Sequence, residues 1–193
     1  MRRPDCMIHS VRFTYVLDTN VLYPIVIRDI IFWFAHYDMF TIKWSKHIFD
    51  EWEKVMRQKG ISDEEITKRI GNAARAFPDA MVENYEPLID GIELPDENDR
   101  HVLAAAIKTN ANVIVTNDLK DFPKEYLAKY SLNVMNPDDF LADVIDLEAE
   151  LAVIAFKEMV LYRTNPDMDE YQVLDSLRKN GLNKTADYLH SQL

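Results

Sequence analysis

Short apolar runs alternate along this chain with longer segments whose apolar residues recur every three or four positions. FTYVLD, carrying Phe13, Tyr15, Val16 and Leu17, reads as a short buried strand. Residues 24–37 have the length and composition of a helix, with Pro24 tolerated in the first turn. TIKWS is a second strand, and Ser45 suits the N-cap of a helix ending near Gly60. SDEE at 62–65 fits a capping box ahead of Ile66, Ile70, Ala73 and Phe77, which fall at helical spacing. AMVENY is a third strand, while EPLIDGIELPDEND is loop-like, broken by Pro87, Gly91 and Pro95. A helix over 100–109, a strand over 112–116, a short helix from Pro123 and a strand around Leu132–Met135 follow. From Pro137 onward the pattern is helical only, with a break at Asn165–Pro166 and a helix C-cap at Gly181.

Strands separated by helices imply a parallel or mostly parallel sheet covered on both faces, an α/β fold. The chain has 193 residues, enough for one domain with a sizeable core. The expected organisation is an N-terminal segment over 1–12, an α/β domain over 13–140 and a helical C-terminal extension over 141–193. Hydrophobic residues at 48% argue against extensive disorder. A single cysteine, Cys6, rules out an internal disulfide framework and fits a reducing cytoplasm. MRRPDCMIHS has no apolar stretch behind its arginines, so no signal peptide is expected there. The most hydrophobic segment, VLYPIVIRDIIFWFAHY, is interrupted by Pro24, Arg28 and Asp29 and reads as a buried helix, not a membrane span.

Net charge is −11, which sits awkwardly with phosphate binding. The acidity is uneven, however. Residues 138–193 hold 12 acidic and 5 basic side chains, against 21 and 17 in residues 1–137. Most of the excess therefore belongs to the C-terminal helices and leaves a nucleic-acid role open for the rest.

Four acids stand where an α/β fold brings side chains together. Asp18 and Asp118 each follow an apolar run, and ligands of open parallel sheets bind outside the carboxyl ends of the strands. Asp18 could equally cap Asn20 or the following turn. Glu51 lies within the inward stripe of Ile48, Trp52, Val55 and Met56, whereas Asp50, Glu53, Lys54 and Arg57 take the opposite face. A carboxylate on the inward face needs a partner, either a metal or a buried arginine such as Arg28. Asp99 opens the helix RHVLAAAIKT, with Asp96 three residues earlier, and one of the two is suited to capping. Asp118 has Asp121 as a near neighbour that could cap the helix near Pro123. Converging carboxylates repel one another, and a shared Mg²⁺ or Mn²⁺ ion is the usual way to keep them ionised.

In LDTNVL, WSKHIFDE, PDENDRHVLAAAI and VIVTNDLKDFP, taken in that order over residues 13–140, the chain resembles the PIN domain. This is the nuclease fold shared by VapC-type toxins of bacterial toxin–antitoxin systems. The resemblance implies a three-layer α/β/α sandwich that holds one or two Mg²⁺ or Mn²⁺ ions and cleaves RNA. Asp18, Glu51, Asp99 and Asp118 would form the acidic quartet, with Asp121 a further candidate ligand, and Asn20, Thr116 and Asp96 would support it. A homodimer and an inhibiting antitoxin partner are implied as well. The stretch 60–95 is longer than in the shortest members, and the helices beyond Asp138 are additional to a minimal PIN domain.

The chemistry expected is metal-assisted hydrolysis, with Arg28, Lys46, Arg100, Lys120 and Lys124 as candidates to guide the RNA backbone. The five histidines lack metal-ligand spacing, which argues against zinc. A haloacid-dehalogenase phosphatase needs a second Asp two residues after the first, and Asn20 stands there. Two competing readings remain: a catalytically silent interaction module, and a structure-specific DNA nuclease.

Overall fold

The computed structural model describes residues 13–164 and 166–193. The expected N-terminal segment 1–12, with Cys6, and Asn165 of the expected break lie outside the described residues. Five strands, β1 (Thr14–Leu17), β2 (Thr41–Ser45), β3 (Met81–Val82), β4 (Val113–Val115) and β5 (Asn133–Met135), form one sheet in the order β3-β2-β1-β4-β5. Every pairing is parallel, with Thr14 opposite Thr41, Leu17 opposite Val115 and Val115 opposite Met135.

Ten helices accompany the sheet among the described residues. They are α1 (Thr19–Leu22), α2 (Ile25–His36), α3 (Lys46–Gln58), α4 (Asp63–Ala76) and α5 (Arg100–Lys108), then α6 (Lys124–Leu127), α7 (Pro137–Leu147), α8 (Ala149–Tyr162), α9 (Glu170–Lys179) and α10 (Asn183–His190). The chain moves outward from β1 through β2 to β3, then crosses back with α5 to lay down β4 and β5 on the other side of β1. Right-handed crossovers therefore put α2–α4 on one face and α5–α6 on the other. The two halves diverge at β1 and β4, and a cleft opens outside their carboxyl ends.

Local sequence explains most boundaries. Ser45 accepts a hydrogen bond from the Ile48 amide (3.3 Å) and starts α3, and Ser62 does the same for Glu65 (3.3 Å) at α4. Gly60 follows the α3 C-cap at φ +76°, a left-handed conformation that costs glycine little. The third strand is shorter than AMVENY suggests, because Asn84 turns left-handed at φ +58° and ends the pairing after Val82. Phe13 is likewise outside β1 and exposed.

The C-terminal helices are part of the same core. Phe140 of α7 packs on Tyr15 and Phe40 at centroid distances of 4.4 and 4.9 Å. α8 and α9 lie against α2, where Trp33 stacks on Tyr162 (5.6 Å), and α10 packs on α7. Among the described residues no helix is long and apolar enough to cross a membrane, and α2, as expected, buries most of its residues.

Candidate active site at the sheet switch point

Asp18 leaves β1 at the divergence of the two halves, and its carboxylate is held from three directions. Oδ1 accepts the Thr19 amide (2.6 Å), while Oδ2 accepts the Thr116 hydroxyl (2.7 Å) and the Asn20 side-chain amide (2.6 Å). Capping α1 and facing the cleft are thus one arrangement, not alternatives. Burial outweighs these bonds and moves the Asp18 carboxyl above its ordinary range, with the Glu51 charge adding to the rise. Asn20 also reaches Thr116 (2.9 Å) and Asp118 (3.0 Å), and the Thr116 hydroxyl accepts the Asp118 amide (3.0 Å). Asp18, Asn20, Thr116 and Asp118 form a single hydrogen-bonded floor.

Glu51 enters from α3 as its position in the apolar stripe requires. Its partner is not the buried arginine considered from the sequence. Oε2 accepts the Thr19 hydroxyl (2.6 Å), and Oε1 pairs with His101 Nε2 (3.1 Å), which must be the donor to a carboxylate. Burial pushes the Glu51 carboxyl up, but the His101 and Thr19 hydrogen bonds and the nearby His101 and His47 rings bring it below its usual value. His101 is buried on α5 and stacks on His47 (5.2 Å), and among the described residues its Nδ1 has no hydrogen-bond partner. His47 in turn bonds the Tyr85 hydroxyl through Nδ1.

Asp99 completes the wall. Among the described residues no side-chain capping bond reaches it, because Asp96 takes the capping work by accepting the Asn98 amide (2.9 Å). Burial, followed by the charges of Asp18, Asp96, Asp121 and Glu51, pushes the Asp99 carboxyl up to about 7. Asp18, Glu51, Asp99 and Asp118 line one cavity of about 500 Å³, together with Thr19, Asn20, Tyr23, Lys54, Val55 and Gln58. Asp96 and Asp121, candidates from the sequence, are not part of that lining, although their charges act on Asp99. Asp121 sits in a 3-10 turn over Leu119–Asp121 and does not cap α6, whose start has no side-chain cap.

The cations need correction. Arg28 is buried, lies 5.2 Å over the Trp52 ring and donates to the Leu22 carbonyl (3.1 Å), so it can neither pair with Glu51 nor guide a strand from the surface. Lys46 is tied to Asp50 (2.6 Å) and Arg100 to Glu97 (2.8 Å), while Lys120 and Lys124 are exposed. Lys54, expected on the solvated face, lines the cavity. At 100° per residue it falls only about 60° from Glu51 around α3. Thr19 and His101, the partners of Glu51, are further members of the site. The available signals were a hydroxyl directly after a strand-end acid and a histidine two residues after Asp99.

Among the described residues no three acids, histidines or cysteines are drawn around one point closely enough to hold an ion. The set nevertheless suits a hard divalent cation, because every candidate donor is a carboxylate oxygen and their mutual repulsion is what a cation would relieve.

The PIN domain family model matches residues 14–120, and the model of the VapC50 C-terminal domain matches residues 137–191. A curated protein of Mycobacterium tuberculosis (strain ATCC 25618 / H37Rv), named "Putative ribonuclease VapC50", is 43% identical over 79 residues, which are 41% of this chain and 47% of that protein. The match spans about half the length of that relative. No solved structure matches the chain. With the PIN model covering more than half of its residues and the parallel sheet and cleft in place, the chain belongs to the PIN domain family.

Proposed function

We propose that this chain is a Mg²⁺- or Mn²⁺-dependent endoribonuclease that hydrolyses RNA phosphodiester bonds, acting as the toxin of a type II toxin–antitoxin pair. The carrying observation is the convergence of Asp18, Glu51, Asp99 and Asp118 on one cavity at the carboxyl ends of β1 and β4. Likeness over part of the chain to a protein named as a ribonuclease supports the choice of RNA.

Asp18 and Asp118 would hold the cation from the floor, Glu51 and Asp99 from the wall. When bound, a divalent cation supplies Lewis-acid charge that makes water a competent nucleophile near neutral pH and offsets charge developing on the phosphate. Asn20 and Thr116 keep the floor carboxylates aimed at the cavity, and Thr19 with His101 does the same for Glu51. Lys54 and Tyr23, on the cavity lining, would meet the RNA strand. No side-chain nucleophile is needed.

The nuclease unit is read as 13–140 with the helical extension 141–193 docked on it. A cytoplasmic setting, a homodimer and an antitoxin belong to the same reading. Ile154 and Leu161, seven residues apart on α8 and exposed, offer a protein partner apolar side chains on one helix face.

The test compares wild type with Asp18→Asn and Asp99→Asn on a mixed RNA pool and on flap DNA, with Mg²⁺ titrated. Cation-dependent RNA cleavage that both substitutions abolish is expected. Unchanged cleavage by folded variants removes the site, preference for the flap transfers the activity to DNA, and no cleavage with no stabilisation by Mn²⁺ leaves a silent module.

A further inference from the structure

A second cavity opens along the same carboxyl edge of the sheet. It measures about 300 Å³ and is lined by Asn117, Asn136, Asp138, Asp139, Asn180 and Lys184, among others. Its walls come from both parts of the chain. Asn117 follows β4 inside the PIN match, whereas Asn180 and Lys184 belong to the C-terminal match. The Asn117 amide donates to Asn20 Oδ1 (3.0 Å), so this cavity borders the acidic floor directly. From β1 across β4 to β5 is two strand spacings, about 10 Å, the reach of a nucleotide close to the scissile phosphate.

The polar groups of the cavity are largely committed elsewhere. Asp138 accepts the amides of Lys184 (3.0 Å) and Thr185 (2.9 Å) and so caps α10. Asp139 is paired with Lys184 (2.5 Å) and bonded by Asn136 Nδ2 (2.7 Å), and Asn136 Oδ1 caps α7 through the Asp139 amide (2.8 Å). The exceptions are two amides. Asn180 Nδ2 donates to the Ser176 carbonyl (2.9 Å), and Asn117 Nδ2 makes a long contact to Asn20 Oδ1 (3.5 Å). Among the described residues no donor reaches Asn180 Oδ1 or Asn117 Oδ1, and both residues line the cavity. Two neutral acceptors beside acids that are already satisfied suit a flat, uncharged ligand with amino donors and disfavour a phosphate. Single-stranded RNA presents such groups on splayed bases, and the exocyclic amines of adenine and cytosine are donors where uracil has an acceptor.

We propose that this cavity is a nucleobase subsite, completed by the C-terminal helices, that selects an amino-bearing base over uracil next to the cleavage point. The assignment rests on the RNA-cleaving reading of the acidic cavity and adds to it a specificity determinant. The helical extension then serves as one wall of the substrate channel, with Asn180 reading the base.

Labelled single-stranded oligo-A, oligo-C and oligo-U, titrated in EDTA and followed by fluorescence anisotropy, test the subsite without turnover. Wild type is expected to bind oligo-A and oligo-C about 3–10-fold more tightly than oligo-U, the value of about one hydrogen bond. Asn180→Ala and, separately, Asn117→Ala should erase most of that difference while leaving oligo-U binding in place. Asp18→Asn should keep it. Equal affinity for the three oligomers in wild type, or a preference that survives both asparagine substitutions, overturns the subsite. Cleavage of an RNA pool by the same proteins separates the two readings. Asp18-dependent cleavage without base preference leaves the nuclease and removes the subsite, whereas base-selective binding without cleavage does the reverse.

Discussion

The floor and the wall of the acidic cavity are built on opposite principles. On the floor, Asp18 and Asp118 are knitted to Asn20 and Thr116 by hydrogen bonds of 2.6 to 3.0 Å, and Asp18 accepts a backbone amide as well. Position is secured there by the protein itself, although burial still raises the Asp18 carboxyl. On the wall, Glu51 is bonded by Thr19 and His101, but Asp99 is surrounded by other acids and its carboxyl is raised to about 7. The floor is preorganised; Asp99 is left for a cation to bring into its charged form. A site of this kind holds one fixed anchor and one member whose charge depends on occupancy.

The largest effect that can break this contrast is at the anchor. Asp18→Asn should lower RNA cleavage by more than about 100-fold, beyond the loss expected for a supporting residue. Its circular dichroism should stay that of wild type, since the amide can still accept from Thr19. Thr116→Val should cost about 10–100-fold in activity or cation affinity, because its hydroxyl orients Asp18 and receives the Asp118 amide without lining the cavity. If the floor is not preorganised, this substitution is silent in both assays.

Next in size is stabilisation by the cation. At 100 times its dissociation constant, Mn²⁺ should raise the thermal midpoint by about 5–10 °C, as binding to the folded state alone requires. Asp99→Asn should remove much of that rise. The smallest effect is the pH dependence without metal. Asp99 binds its proton more tightly folded than unfolded, so its contribution is fully present below about pH 4 and is lost as pH rises through about 7. Asp18 is shifted in the same direction, and Glu51, lowered, acts oppositely at acid pH. In EDTA the thermal midpoint should therefore fall between about pH 5 and 8, and Asp99→Asn should flatten that slope.

Helical and strand periodicity placed the strands near their observed positions, and it placed Glu51 on the inward face of α3, because burial of an acid among apolar neighbours is a local signal. The strand-end rule did the same for Asp18 and Asp118. The division of labour between Asp96 and Asp99 was not legible, since either aspartate fits a helix start and only the 3-10 turn over Glu97–Asp99 gives the cap to Asp96. The partner of Glu51 was hidden for a different reason. Thr19 and His101 lie 32 and 50 residues away, and they meet it only through the packing of α1 on α3 and the crossover of α5 behind β1. Arg28 offers an equally strong charge in the sequence, but its guanidinium lies over Trp52, donates to the Leu22 carbonyl and pairs with the adjacent Asp29 (3.6 Å), so its carboxylate partner is not Glu51. Lys54 was misplaced by treating a helix as two faces when the cavity takes in the flank between them.

Calorimetric titration of Mn²⁺ into the metal-free protein at pH 7, repeated in two buffers of different ionisation enthalpy, tests the contrast between floor and wall most directly. The account predicts saturable binding that releases about half a proton, drawn from Asp99, with the release lost in Asp99→Asn and the binding itself lost in Asp18→Asn. Heats independent of the buffer, or binding that Asp18→Asn leaves intact, would contradict it.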